Sequence, residues 1–186
     1  MSKQSEARSG AEVAAHVELE WALAIGLIVA LLLAIITFTT IRWSTMPPSR
    51  VEVVDPAKLH QSGEFVESNL GTGVDQSNRV IVHLLAEQYS FNPHCLVVPD
   101  GVSVTFRATS ADVVHGFLIL GTNVNSMLIP GYVSTFVMTL NGVGERAMPC
   151  HEFCGVGHAA MWAKIKVIPL AEFETLMREK RRVSCV

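Results

Sequence analysis

Between Glu20 and Arg42 run 21 residues with no formal charge, WALAIGLIVALLLAIITFTTI. A helix of that length rises roughly 31 Å, enough to cross a bilayer core. Burying it inside a soluble fold would take a shell of apolar partners that the rest of a 186-residue chain is too short to supply. A cleaved leader would carry a shorter apolar stretch, roughly 7 to 15 residues, ending in a small-residue cleavage site, whereas Thr40-Ile41-Arg42-Trp43 follows here. Trp21 and Trp43 bracket the segment, as rings at two membrane interfaces do. One transmembrane helix is therefore expected over residues 18–42. Charge does not orient it, because Lys3 and Arg8 on one side balance Arg42 and Arg50 on the other.

What remains is enough for one domain of ordinary size. A formal net charge of -3 with 7% aromatic residues offers no basic, aromatic-studded face, so no nucleic acid is expected as a partner. Residues 1–17 read as a polar tail. From 43 to 78 the chain is punctuated by Pro47-Pro48, Pro56, Ser62-Gly63 and Gly71-Thr72-Gly73, the composition of a linker.

Beyond residue 78 come short runs rich in Val, Ile, Thr and Phe, at 79–86, 95–98, 102–107, 113–120, 132–140 and 163–168. They read as strands. Alternation is clear in Val102-Ser103-Val104-Thr105-Phe106-Arg107 and Ala163-Lys164-Ile165-Lys166-Val167. Turn signals at Pro99-Asp100-Gly101, Gly121-Thr122-Asn123, Pro130-Gly131 and Asn141-Gly142 separate them, and the spacing predicts an all-β sandwich over 79–169. In the tail, 170–186, Leu170, Phe173, Leu176 and Met177 follow Pro169 at the spacing of a short amphipathic helix.

The stretch Cys150-His151-Glu152-Phe153-Cys154-Gly155-Val156-Gly157-His158-Ala159-Ala160-Met161 places two thiols, imidazoles and a thioether within twelve residues. Sulfur donors this close in sequence can wrap a metal at little loop-closure cost. Thiolate and thioether favour copper, and imidazole accommodates either of its oxidation states. His115, in the strand-like run Val113 to Leu120, is the remote imidazole that could complete the set. A Cys150–Cys154 disulfide would leave His158 and Met161 unexplained. Structural zinc would want further Cys or His ligands in place of Met. A mononuclear blue-copper site of His115, Cys154, His158 and Met161 has the right donors but gives Cys150 no role. A binuclear site bridged by both sulfurs gives a role to both thiols as well as to His115, His158 and Met161.

The pattern C-x-E-x-C-G-x-x-H-x-x-M, preceded by Asp112-Val113-Val114-His115-Gly116-Phe117, resembles the copper A domain of haem-copper oxidase subunit II. The likeness extends through Gly121-Thr122-Asn123, Pro130-Gly131 and Val54-Asp55-Pro56, covers roughly residues 18 to 168, and is nearest to the B-type (ba-type) oxidases with their single membrane helix. It implies a cupredoxin-like Greek-key β-sandwich behind one N-terminal transmembrane helix. It further implies that Cys150 and Cys154 bridge two copper ions, one completed by His115 and Met161, the other by His158 and the backbone carbonyl of Glu152. The Glu152 carboxylate matches the member that reaches a magnesium ion at the subunit I boundary, where B-type relatives often carry glutamine.

By the same resemblance, electrons come from cytochrome c or a small copper protein and pass to haem in subunit I, where oxygen is reduced to water with proton translocation. The copper domain then faces the periplasm, the tail 1–17 the cytoplasm. Tyr89 and Phe91 fall where the family has an aromatic run near the copper. The competing class is a membrane-tethered mononuclear copper carrier or copper chaperone, which would need no oxidase partner. Nitrous oxide reductase adds a large propeller to the same loop, and quinol-oxidase subunits II keep the fold without the ligands. His16, His60, His83 and His94 read as satisfied or solvated, and His151 as pointing outward. Cys95 reads as a small core hydrophobe, and Cys185 has no visible partner.

Overall fold

The computed structural model describes residues 10–43 and 52–185. They fall into two units, one up to Arg50 and one from Val51 onward. The first contains α1, Gly10–Trp43. Its apolar side chains lie on every face and are exposed, Leu27 at 73% and Ile41 at 78% for example. A helix apolar all round needs an apolar surrounding, and 31 of its residues, Glu12–Arg42, satisfy the length and composition of a membrane span. The helix begins eight residues before the expected start. Ala11, Ala14 and Ala15 are strong helix formers, and the side chains of His16 and Glu20 pair one turn apart at 3.2 Å. Of the expected tail, residues 1–9 lie outside the described residues, as does the Pro47-Pro48 part of the linker.

Among the described residues the second unit has ten strands: β1 (Gly71–Val74), β2 (Val80–Glu87), β3 (Ser90–Asn92), β4 (Cys95–Pro99), β5 (Ser103–Ser110), β6 (His115–Leu118), β7 (Asn125–Leu128), β8 (Ser134–Thr139), β9 (Gly144–Pro149) and β10 (Trp162–Ile168). A helix, α2 (Leu170–Glu179), follows where the apolar spacing placed it. One sheet runs β1-β2-β5-β8 with β3 on β2, a second runs β4-β10-β9, and β6 pairs with β7. β2 lies parallel to β5 and β4 parallel to β10, so the chain must cross between the sheets. This is the cupredoxin-like all-β sandwich that the pattern and the resemblance led one to expect.

Register explains the core. Val82, Leu84 and Ala86 of β2 lie opposite Phe106, Ala108 and Ser110 of β5, and Ile165 of β10 opposite Leu96 of β4. Each inward side chain of these alternating strands is fully buried or nearly so. Phe106 stacks on Phe136 at 5.1 Å, and Phe117 meets Phe91 edge-on at 6.1 Å.

The stretch 52–78 is folded onto this sandwich. Leu59, Phe65 and Leu70 form a second buried cluster with Leu85 on the outer face of β2. Glu64 fixes the same stretch by charge: it pairs with Arg107 of β5 and lies 2.6 Å from Nε2 of His83 of β2. Burial would raise the Glu64 pKa, but hydrogen bonds and charge from His83 and Arg107 overcome it and hold the carboxyl at about 2, below its usual 4.5. A carboxyl so depressed contributes stability that is complete above pH 4.5 and fades as pH falls towards 2. Its contribution, screened by partial exposure, is on the order of 2 kcal/mol. Urea unfolding of Glu64→Gln and the native chain is expected to differ by that amount at neutral pH and to converge only as pH falls to about 2; a constant gap would contradict the assignment.

Cys95 and Cys185 correct the sequence reading, because they form a disulfide. Around it the C-terminal segment closes both sheets: Val183 exchanges backbone hydrogen bonds with Thr72 of β1, and Cys185 N donates to Cys95 O of β4.

Candidate metal centre

β6 presents His115 and the β9–β10 loop presents the remaining donors. Both strands are pinned by the core, His115 itself being fully buried. The two backbones nearly touch: His151 N donates to Gly116 O at 3.0 Å, and a Cβ on Gly116 would lie 2.5 Å from the His151 carbonyl carbon. Only glycine beside His115 lets the loop approach so closely.

Cys150 and Cys154 are free thiols, both buried, with sulfurs 3.8 Å apart. A disulfide would need about 2.05 Å. Cys150 Sγ lies 3.8 Å from His115 Nδ1 and 3.2 Å from Glu152 O. Cys154 Sγ lies 3.6 Å from His158 Nδ1 and 3.7 Å from Met161 Sδ. Donor atoms of His115, Cys150 and Cys154 lie within 4.8 Å of one another. Metal–sulfur and metal–nitrogen bonds of about 2.3 and 2.0 Å at a near-tetrahedral angle put sulfur and nitrogen roughly 3.5 Å apart. The donor set therefore fits soft metal ions held between the sulfurs and the two imidazoles.

The protonation pattern agrees. Burial, then the hydrogen bond and charge of Cys150, push the Cys154 thiol up to about 11, so without metal it keeps its proton at neutral pH and metal uptake must release it. Burial would also raise the Asp112 pKa, but hydrogen bonds from His115 and the amides of Gln88 and Val113 prevail and lower it. Asp112 Oδ1 accepts from His115 Nε2 at 2.9 Å, which orients the ring with Nδ1 aimed at the sulfurs.

All six expected site residues are brought together, Glu152 by its carbonyl; its exposed carboxylate has no partner among the described residues. His151 points outward, its Nδ1 against Asn125 Nδ2 at 3.1 Å. The aromatic pair divides: Phe91 is core, whereas Tyr89 lies on the loop. A Cβ on Gly157 would fall 2.5 Å from the Tyr89 ring, although φ of -90° suits any residue. Gly157→Ala is thus expected to cost about 1–3 kcal/mol in urea unfolding of the metal-free protein. Tyr89→Ala in the same chain should restore most of it, and additive effects would contradict the contact. Sequence reasoning missed Asp112 as a support for His115, although its spacing of three residues was in view, and missed Gln88, which no local pattern marks.

Comparisons with known proteins agree on one family. The model for "Cytochrome C oxidase subunit II, periplasmic domain" matches residues 80–168. Cytochrome c oxidase subunit 2 of Thermus thermophilus is 34% identical over 131 residues, spanning 70% of this chain and 97% of the relative. A second subunit 2 from that species is also 34% identical over 131 residues, spanning 70% of this chain and 78% of the relative. A chain in a solved heme-copper terminal oxidase dimer is similar in structure, with TM-score 0.56, 32% identity, and 79% of this chain and 99% of that one covered.

Proposed function

This chain belongs to the cytochrome c oxidase subunit II family, a membership that implies copper binding and association with subunit I of a haem-copper oxidase, and from it we propose that the candidate centre is a binuclear copper A site that accepts electrons for that subunit. Cys150 and Cys154 would bridge both ions, with His115 and Met161 completing one and His158 and the Glu152 carbonyl the other. When bound, such a pair shares one electron between two metals and so exchanges electrons with little reorganisation.

The observation that carries this reading is the crossing of neighbours. Cys150 adjoins His115 and the Glu152 carbonyl, one donor of each proposed ion, and Cys154 adjoins His158 and Met161, again one of each. A mononuclear site of His115, Cys154, His158 and Met161 would leave Cys150 and the Glu152 carbonyl beside it without a role. The chain's own residues do the preparatory work: β6 and β9 fix the donors before metal arrives, Asp112 orients the His115 ring, and burial of Cys150, Cys154 and Met161 keeps water from the sulfurs.

Electrons would arrive from cytochrome c or a small copper protein and leave for haem in subunit I, where oxygen is reduced to water with proton translocation. The Glu152 carboxylate, without a partner among the described residues, would reach a magnesium ion at the subunit I boundary. α1 anchors the chain, and the sandwich would face the extracytoplasmic side. The Cys95–Cys185 disulfide supports that orientation, since such bonds persist in oxidising compartments.

Extraction of the tagged full chain from its native membrane tests the partnership. Haem co-purifying with the chain is the expected result; copper without haem would favour the tethered carrier.

A further inference from the structure

The turn between β2 and β3 reaches both metal-bearing segments through one residue. Gln88 N donates to Asp112 Oδ2 at 2.6 Å, and the other oxygen of that carboxylate holds His115 at 2.9 Å. The Gln88 side chain donates Nε2 to the backbone carbonyl of Cys154 at 2.5 Å. A continuous chain of contacts thus runs from the His115 ring through Asp112 and Gln88 to Cys154. Among the described residues, the Gln88 amide makes the one hydrogen bond joining 152–158 to any element outside the loop Cys150–Met161; the backbone bonds His158 N to Gly155 O and Met161 N to His158 O stay within it.

The turn is a rigid base for this. β2 is central in its sheet, with Leu84, Leu85 and Ala86 completely buried, and Glu87 pairs with Ser90 across the turn. Tyr89, the next residue, covers Gly155 and Gly157 of the same loop. Gln88 itself is exposed and fills no part of the core.

We propose that Gln88 is a positioning residue of the copper centre, its side-chain amide holding the Cys154–His158 half of the loop in register with His115. The inference rests on the copper A reading of the site. It predicts that loss of the amide leaves the fold intact but frees the half of the loop that carries His158, so that the two ions share the electron less equally.

The test compares full-length native chain with Gln88→Leu, which has an apolar side chain of similar reach but neither a hydrogen-bond donor nor a copper ligand, both in detergent and loaded with copper. Native chain and variant are each expected to take up two coppers. From the variant, copper should pass to an excess of chelator about 10-fold or more faster, the loss expected when an outer partner of a metal ligand is removed. Its electron paramagnetic resonance spectrum should show unequal splitting from the two nuclei, while its copper-free melting temperature stays at the native value. Equal release rates and identical spectra would overturn the role of Gln88 with the copper reading intact. An equal loss of melting temperature with and without copper would also overturn it, by showing a general structural role. Failure of the native chain to hold two coppers would overturn the copper reading and this inference together.

Discussion

Cys154→Ser is expected to abolish the binuclear centre, leaving at most one copper per chain and no electron shared between metals. Serine oxygen is a hard, weakly acidic donor that does not replace a bridging thiolate for copper. The position is also unforgiving: Cys154 is 4% exposed and adjoins Cys150, His158 and Met161 at once. Cys150→Ser should behave alike, because Cys150 carries the same burden towards His115 and the Glu152 carbonyl. Copper analysis of the purified variants checks this, and two coppers retained in either would contradict bridging.

The second large effect is on stability. Cys95 and Cys185 are 90 residues apart in sequence, and a cross-link closing so long a loop removes much of the freedom of the unfolded chain, worth about 4 kcal/mol. It also secures the C-terminal segment against the edges of β1 and β4, where Val183 and Cys185 make their backbone hydrogen bonds. Cys185→Ser should therefore lower the melting temperature by roughly 10 °C. A reductant should produce the same fall in the native chain and none in the variant. An unchanged midpoint in both would show that the strap contributes nothing.

The metal loop was legible in sequence because its donors are contiguous: twelve residues carry five of the six expected contributors, and only His115 had to be found elsewhere. Six strands were legible because Val, Ile, Thr and Phe alternate between turn residues. β1 was not. Its two glycines read as linker punctuation, while the ladder to β2 that makes Gly71–Val74 a strand is built of backbone groups that carry no side-chain signal. β9, Gly-Glu-Arg-Ala-Met-Pro, has little strand character of its own and owes its form to pairing with β10. The stretch 52–78 looked like a spacer because Leu59, Phe65 and Leu70 have no regular period; the sandwich supplies the surface that buries them. The disulfide was hidden for a related reason, since no local spacing relates Cys95 to Cys185. Gln88 and Asp112 belong to the same class, for each acts through a partner that only the folded chain brings near.

Copper content and the electron paramagnetic resonance spectrum of the full-length, copper-loaded chain test the central claim most directly. Two coppers per chain sharing one unpaired electron, with splitting from both nuclei, is the result this account predicts. One copper per chain with an ordinary mononuclear spectrum would contradict it.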